Sequence, residues 1–304
     1  IDYMRFFFCF LLFLSFSFES FSQANLLNAR VPQDVGEMNE QQKIANNRDP
    51  LEYGYVDDRD VIWSKTIWEV IDLDERINFP FYYPIDTTSL APDRRSLFHV
   101  LKMNIEKKNI KEVYAGPYFR EKLTPDEIAE SLIYIDTTDI AIEEFNSTGV
   151  WLDEFIFKYP VTPKYIRQYL IKGTWYFDKR LGELKYRLLG LSPVAVNPRR
   201  IREFESNPTC CGDDAVPLFW VWFPDARESL NKNKVFNSKN SSQPITYDHM
   251  LNSRRFNSLI YKEENVYQDR DIKDYISDDA LRMLLESERI KSVIRDFEQD
   301  MWNN

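Results

Sequence analysis

Acidic side chains are the groups in this sequence best able to do chemistry, because two carboxylates can act as general acid and general base. The candidates are Asp57, Asp58, Asp60, Asp72, Asp74, Glu75, Asp136 and Asp139. Glycoside hydrolysis or proton transfer requires two such groups to converge in an apolar cleft with separated pKa values. No pair stands out, since the first acids suit the start of a helix and Asp72 to Asp74 fall where that helix would exit into a turn. A carbohydrate-active hydrolase using paired carboxylates is therefore the alternative function.

Other catalytic patterns are missing from the sequence. It contains no Walker motif, no dinucleotide-binding glycine pattern, no HExxH and no EF-hand loop, and it has 8 glycines in 304 residues. His99 and His249 each stand without a second ligand at metal-binding spacing, and neither accompanies a serine in a strand-turn-helix elbow. The sequence thus predicts no metal and no cofactor, and it favours a binding or structural protein over an enzyme.

Two cysteines, Cys210 and Cys211, are adjacent in the C-terminal half of the chain. Neighbouring α-carbons lie about 3.8 Å apart, whereas ordinary disulfides need roughly 4.4 Å or more. Free thiols are the favoured interpretation. A bond to a partner and a redox-labile bridge between the two remain the alternatives.

The N-terminal region predicts export. Arg5 precedes an apolar run at 6–18, and small residues follow at 20–22, which is typical of a secretory signal peptide over 1–22. Residues 23–50 are polar and rich in Asn and Gln, which predicts a disordered arm. One domain is expected over 51–304. A net charge of −10 argues against nucleic-acid binding, and no further stretch approaches membrane-spanning length.

Periodicity predicts the first elements of that domain. A helix is expected from Asp57–Asp60 to about Leu73, with Ile67, Trp68 and Ile71 on its buried side. Another helix should follow Pro92, and a short strand is expected at 113–115. The TPDE sequence at 124–127 predicts a capped helix start.

The second half of the domain has strand patterns and a final helix. A hairpin is expected over 165–196 with its turn at 179–182, followed by strands at 216–224 and near 258–262. A helix should run from Ser277 to Met301 and pack on its own sheet through Met283, Ile290, Ile294, Phe297 and Met301. The predicted fold class is α+β, an antiparallel sheet flanked by helices.

Two stretches carry a family resemblance. DDRDVIWSKTIWEVIDLDERINFPFYYP at 57–84 and DYISDDALRMLLESERIKSVIRDFEQDMW at 274–302 resemble the GldN family, called PorN in related bacteria, of the type IX secretion system of Bacteroidetes. The positions that carry the match in the first stretch are Asp57, Asp58, Arg59, Asp60, Trp63, Trp68, Glu69, Asp72, Arg76, Asn78, Pro80, Tyr83 and Pro84.

The resemblance implies a non-enzymatic structural role. Members of this family are periplasmic proteins that form a ring with the outer-membrane lipoprotein GldK, coupled to the motor proteins GldL and GldM. The implied partners are therefore a GldK-like lipoprotein, the periplasmic region of a GldM-like protein and further copies of the chain. The chain would be held at the outer membrane by its lipoprotein partner.

Three residues of the first stretch are the candidate partner interface. On a helix, Trp63 and Trp68 would lie about 140° apart, so the two cannot face the same layer. With Trp68 in the core, Trp63, Arg76 and Tyr83 are left as docking candidates, since Trp, Tyr and Arg are enriched at interface hot spots. A small-ligand binding module is a further alternative, and it would need a closed cavity among the aromatic residues of 216–224.

Overall fold

The protein is represented by a computed structural model that describes residues 49–86, 95–137, 139–149, 156–197, 200–207, 210, 215–237, 245–276 and 279–303. The predicted signal peptide and nearly all of the predicted arm lie outside this part of the chain. Its strands are β1 (Val61–Asp72), β2 (Val113–Tyr114), β3 (Ile133–Thr137), β4 (Ile156–Pro160), β5 (Ile166–Asp178), β6 (Glu183–Ala195), β7 (Val216–Pro217), β8 (Trp220–Trp222), β9 (Lys234–Val235), β10 (Ile245–Thr246) and β11 (Leu259–Glu263).

The helices surround these strands. They are α1 (Phe79–Tyr82), α2 (Leu97–Glu106), α3 (Pro125–Leu132), α4 (Asp139–Thr148), α5 (Ile201–Ser206), α6 (Phe223–Asn231), α7 (Tyr247–Asn252), α8 (Ile272–Tyr275) and α9 (Ala280–Asn303). Short 3-10 turns occur at Asp58–Asp60, Arg76–Asn78 and Pro163–Tyr165.

One antiparallel sheet organises the described residues. Its strand order is β11-β1-β5-β6-β8-β2, with β7 paired to β6. The expected α+β architecture with a long C-terminal helix is confirmed. Two small ribbons, β3 with β4 and β9 with β10, lie apart from this sheet.

The predicted helix at the start of the domain is wrong, because residues 61–72 form the long strand β1. Eight of its twelve residues are β-branched or aromatic, which favours an extended chain. Ile67, Trp68 and Ile71 are all buried, as expected. Their spacing fits a helix, but it also arises in a strand buried on both faces, where Ile67 and Ile71 point one way and Trp68 the other.

The hairpin, the capped start of α3 and the terminal helix are confirmed, while the expected helix start at Ser277 lies outside the described residues. β5 and β6 pair over their full length, and Gly182 supplies the positive φ (64°) of the connecting turn. Thr124 and Glu127 form the capping box of α3. The expected strand at 216–224 is broken, because Pro224 is placed in the first turn of α6 and residues from Phe223 onward are helical.

The sheet is packed on both faces. On one face Ile71 and Ile171 join the main core, and Ile67 and Ile260 pack against Ile290 and Ile294 of α9. The terminal helix therefore packs on its own sheet, as predicted. The other face carries an aromatic cluster that includes Trp68, Tyr114, Trp220, Phe119 and Trp222.

The outer edge of β11 is closed by side chains and a short bridge. The Ile260 N–H donates to the Ser287 hydroxyl of α9 at 2.9 Å, and Lys262 forms an isolated bridge with Asp271. A hydrogen-bonding edge that would otherwise face solvent is thus occupied from within the chain.

Cys210 is disulfide-bonded. The free-thiol interpretation is therefore wrong for this residue. The other half of the bond lies outside the described residues.

Candidate partner interface

The segment that follows β1 is fixed from the inside by Asn78. This side chain is fully buried, and its Nδ2 donates to the Asp72 carbonyl at 2.7 Å and to the Asn257 carbonyl at 3.1 Å. The Asn257 N–H donates back to Asn78 Oδ1 at 3.0 Å. Both Nδ2 hydrogens donate and Oδ1 accepts once, so three hydrogen bonds fix the turn Arg76–Asn78 from the inside.

Phe81 is the second internal anchor of the segment. It is fully buried, with its ring 6.0 Å from that of Phe256 and 6.3 Å from that of Tyr247. The Tyr247 hydroxyl also donates to the Arg95 carbonyl at 2.7 Å. Burial of this size contributes roughly 2 kcal/mol per side chain, which holds α1 against the core.

Around these two anchors, the segment exposes apolar residues. We call Arg76, Ile77, Phe79 and Tyr83 the 76–83 patch. Ile77 is 56% exposed, Phe79 37% and Tyr83 50%. The rings of Phe79 and Tyr83 meet edge to face at 5.5 Å. Arg76 is exposed and forms no ion pair with the described residues. A rigid apolar surface of this kind loses little conformational entropy when it binds a partner.

The structure does not bring the third candidate, Trp63, to this patch. Trp63 lies near the start of β1, so about 30 Å of strand separates it from the turn after Asp72. Its ring stacks on Phe297 of α9 at 4.7 Å with an interplanar angle of 17°. Trp63 and Trp68 do face different layers, because residues five apart in a strand point to opposite faces.

The acidic residues of the recognised stretch have structural partners. The Asp57 carboxylate accepts from the Arg59 N–H at 3.3 Å and so caps the 3-10 turn. Asp60 pairs with Arg180 at 3.0 Å. The Asp72 carboxylate accepts from the Asp74 N–H at 2.9 Å, closing the turn after β1. These acids do not converge on one cleft. The side chains of Asp136 and Asp139 lie outside the described residues.

Glu69, a position of the recognised stretch, is a buried acid inside the sheet. Arg254 donates to its two carboxylate oxygens at 2.9 and 2.7 Å, and the Ser258 hydroxyl donates at 2.9 Å. The Tyr186 hydroxyl lies 3.3 Å from the same carboxylate, and burial followed by the charge of Glu69 raises the Tyr186 pKa well above its ordinary value. Arg254 reaches this position from a left-handed backbone (φ 50°) after α7.

A second buried ion pair joins α6 to α7. Arg227 donates to the two oxygens of Asp248 at 2.8 and 3.2 Å, and its guanidinium also donates to the Leu51 carbonyl at 2.6 Å. Both buried carboxylates are therefore paired with arginine, so that neither leaves an uncompensated buried charge or a free base. Sequence reasoning missed both pairs. The one available signal was an acid at 69 between the apolar residues Ile67 and Ile71.

Cavities occur away from the aromatic strand. Three cavities have volumes of about 590, 420 and 210 Å³, and none of the three is lined by a residue of 216–224. The small-ligand alternative therefore gains no support from them. Among the described residues, no group of three or more His, Cys, Asp or Glu side chains is placed to hold a metal ion.

The comparison with protein families matches residues 56–303 to the model described as "Gliding motility associated protein GldN". The chain belongs to the GldN family. The match includes β1, the 76–83 patch and α9, so both stretches recognised in the sequence lie inside it. This family membership makes the chain a component of the gliding motility machinery. The comparison with curated proteins found no match.

In the part of the chain that the structure describes, no helix combines the length and apolar character needed to cross a membrane.

Proposed function

We propose that this chain is a non-enzymatic structural component of the type IX secretion and gliding machinery in the periplasm. In this proposal it is held at the outer membrane by a GldK-like lipoprotein, associates with further copies in a ring, and couples to GldL and GldM-like motor proteins. Membership of the GldN family is the observation that carries the proposal. The predicted signal peptide at 1–22 supports export.

The state of the acidic groups supports a non-enzymatic role. Glu69 and Asp248 are buried, and each is bound by both arms of an arginine fork. A general acid or base needs a proton-transfer position open to substrate. Both carboxylates are used to hold the fold, so the hydrolase alternative gains no support from them.

The 76–83 patch is the surface we assign to the lipoprotein partner. Its apolar residues are exposed while Asn78 and Phe81 fix the backbone beneath them. Aromatic and arginine side chains on a fixed backbone are the residues that most often dominate binding energy. Arg76, unpaired within the described residues, is free to meet an acid on the partner.

Capture of the lipoprotein from the envelope tests this assignment. Arg76→Ala with Tyr83→Ala is expected to lower the amount of co-purifying lipoprotein at least about tenfold, since a hot-spot truncation costs about 2 kcal/mol or more. Tyr267→Ala is the matched control, because Tyr267 is a 65% exposed tyrosine on a different turn. Normal capture by a stably folded double variant would rule the patch out.

Trp63→Ala distinguishes docking from packing at the third candidate position. A docking role predicts lost capture with an unchanged unfolding midpoint. The stacking on Phe297 instead predicts lower stability of α9 against the sheet.

A further inference from the structure

A groove with an apolar floor lies between α2 and α3. Its volume is about 590 Å³, within the range of binding sites in proteins. Both helices and the chain between them supply the floor, which is formed by Ile105, Ile110, Val113, Leu123, Ile128 and Leu132. No residue of the 76–83 patch lines the groove, so the two are separate surfaces.

The strand beneath the groove, β2, is paired on both sides. Val113 and Tyr114 pair with β8 on one side. On the other side the Leu123 N–H donates to the Val113 carbonyl at 2.8 Å, and the Ala115 N–H donates to the Glu121 carbonyl at 3.0 Å. An incoming extended segment therefore has no strand edge to join at β2. A ligand of this groove must be recognised through side chains, as a helix lying in an apolar groove is.

One side of the groove is basic. Lys102 of α2 and Lys108 and Lys111 of the turn after it line the groove beside one acid, Glu106. None of the three lysines has an ion-pair partner within the described residues. Lysines at the end of a helix stabilise its dipole, which accounts for Lys108 but not for Lys102 in the middle of α2.

The turn that carries two of these lysines is fixed by Asn104, a buried residue. Its Nδ2 donates to the Val100 carbonyl at 2.8 Å, and its Oδ1 accepts from Asn109 Nδ2 at 2.8 Å. Its carbonyl accepts from the N–H groups of Asn109 and Ile110 at 2.9 and 3.2 Å. Lys108 is held in a left-handed conformation (φ 58°), where glycine would be less strained. A fixed turn loses little conformational entropy when its charges meet a partner.

Acids on the neighbouring helices are used elsewhere. Those of α3 do not line the groove, and Glu127 accepts from the N–H and the hydroxyl of Thr124 at 2.7 and 2.8 Å. Glu228 of α6, whose pKa is lowered in small part by Lys111, is ion-paired with Lys232 at 2.6 Å. The α2 side of the groove is therefore the side that offers positive charge to a ligand.

We propose that this groove binds an amphipathic helix of a partner protein, with acidic residues along one side of its apolar face. Apolar side chains at helical spacing fill the floor, and carboxylates lie along α2 beside Lys102, Lys108 and Lys111. The lysines set the charge of the partner, and the paired outer side of β2 sets its helical conformation. The inference goes beyond the proposed function, because it adds a second recognition surface and the chemistry of the segment that occupies it.

Photocrosslinking from the groove in intact cells tests this proposal with the full chain. The probe is p-benzoylphenylalanine at position 129, because Ala129 lines the groove and is exposed on α3. The crosslinked segment, sequenced by mass spectrometry, is expected to belong to another protein, to carry net negative charge and to have apolar residues at helical spacing. Lys102→Glu with Lys111→Glu is expected to lower the adduct yield at least about tenfold, because it places like charges together.

Matched controls separate the groove from general effects of charge. Lys179→Glu with Lys273→Glu makes the same change in net charge at two exposed lysines outside the groove and should leave the yield unchanged. The same probe at position 130, which is exposed but does not line the groove, should not give this adduct. Exchanging the acids of the identified segment for lysine should restore the adduct of the reversed groove to within about threefold of the wild type.

The other possible occupants give different results. An adduct with a phospholipid, with a second copy of this chain or with a segment that lacks acids would overturn the inference, as would the absence of any adduct. An adduct that survives the groove reversal would also overturn it. If the reversal lowers the urea midpoint, Lys102→Gln with Lys111→Gln takes its place and should lower the yield about threefold. Lipoprotein capture by the 76–83 patch variants is a separate measurement, so failure of that assignment leaves this result unaffected.

Discussion

Replacing Glu69 by glutamine removes one charge from the buried pair at the centre of the sheet and keeps the shape of the side chain. Arg254 would then keep its positive charge with one formal partner lost, while Glu69 in the wild type is only 1% exposed. Breaking a buried pair by removing one partner costs about 3–5 kcal/mol, because the remaining charge is left uncompensated. We expect Glu69→Gln to lie in that range.

Urea unfolding followed by tryptophan fluorescence measures this cost. For a domain of this size the denaturant slope is about 3 kcal/mol/M, so the midpoint should fall by roughly 1–1.7 M. The double variant Glu69→Gln with Arg254→Met should lose less than the sum of the two single losses, since the uncompensated charge is gone.

The control is an exposed pair. Glu228→Gln removes a contact of 2.6 Å with Lys232 at the surface and should leave the midpoint unchanged. If Glu69→Gln also leaves it unchanged, or if the double variant shows simple additivity, the carboxylate is not a structural charge and the argument against a catalytic acid at this position fails.

Three further changes probe other parts of the fold. Ile294→Ala should cost about 2–5 kcal/mol in urea unfolding, whereas its exposed neighbour Val293→Ala should stay within about 0.5 kcal/mol. Gly173→Ala should cost about 1–3 kcal/mol, because the new Cβ would collide with the Tyr186 hydroxyl. Burial, and then a hydrogen bond to the Glu205 carboxylate, raises the Tyr165 pKa to about 12 from an ordinary 10. The contribution of the neutral Tyr165 hydroxyl to stability is therefore complete below pH 10 and is lost between pH 10 and 12. Tyr165→Phe should flatten the fall of the urea unfolding midpoint over that pH range.

These three predictions have their own checks. Gly116→Ala, where a Cβ meets nothing within 4 Å, should be close to neutral beside Gly173→Ala. Equal losses at positions 293 and 294 would contradict the packing of α9. An unchanged pH profile in Tyr165→Phe would contradict a raised pKa at that hydroxyl.

The elements with local signals were predictable from the sequence. Thr124 with Glu127 predicts the start of α3, alternation predicts the hairpin β5–β6, and the seven-four-three-four spacing predicts α9. The strand β1 was not predictable from the sequence, because a strand buried on both faces can place apolar residues at helical spacing. β3 and α4 had no assignment from the sequence, because neither segment carries a clear period.

The candidate site was less accessible to sequence reasoning. Exposure of Tyr83 and Arg76 fits the expectation, whereas the role of Asn78 depends on Asn257, which is 179 residues away in the chain. The partner of Glu69 is 185 residues away. Long-range polar partners leave no periodic trace in a single sequence. Trp63 was chosen on helical geometry, and its stacking on a helix 234 residues later followed from the strand instead.

The closed outer edge of β11 limits how copies of this chain can join. An incoming strand would find the Ile260 amide already used by Ser287 and the next outward position bridged to Asp271. In the proposed assembly of copies, a continuous sheet is thereby prevented on that side. Contacts made there between copies would depend on side chains rather than on backbone hydrogen bonds.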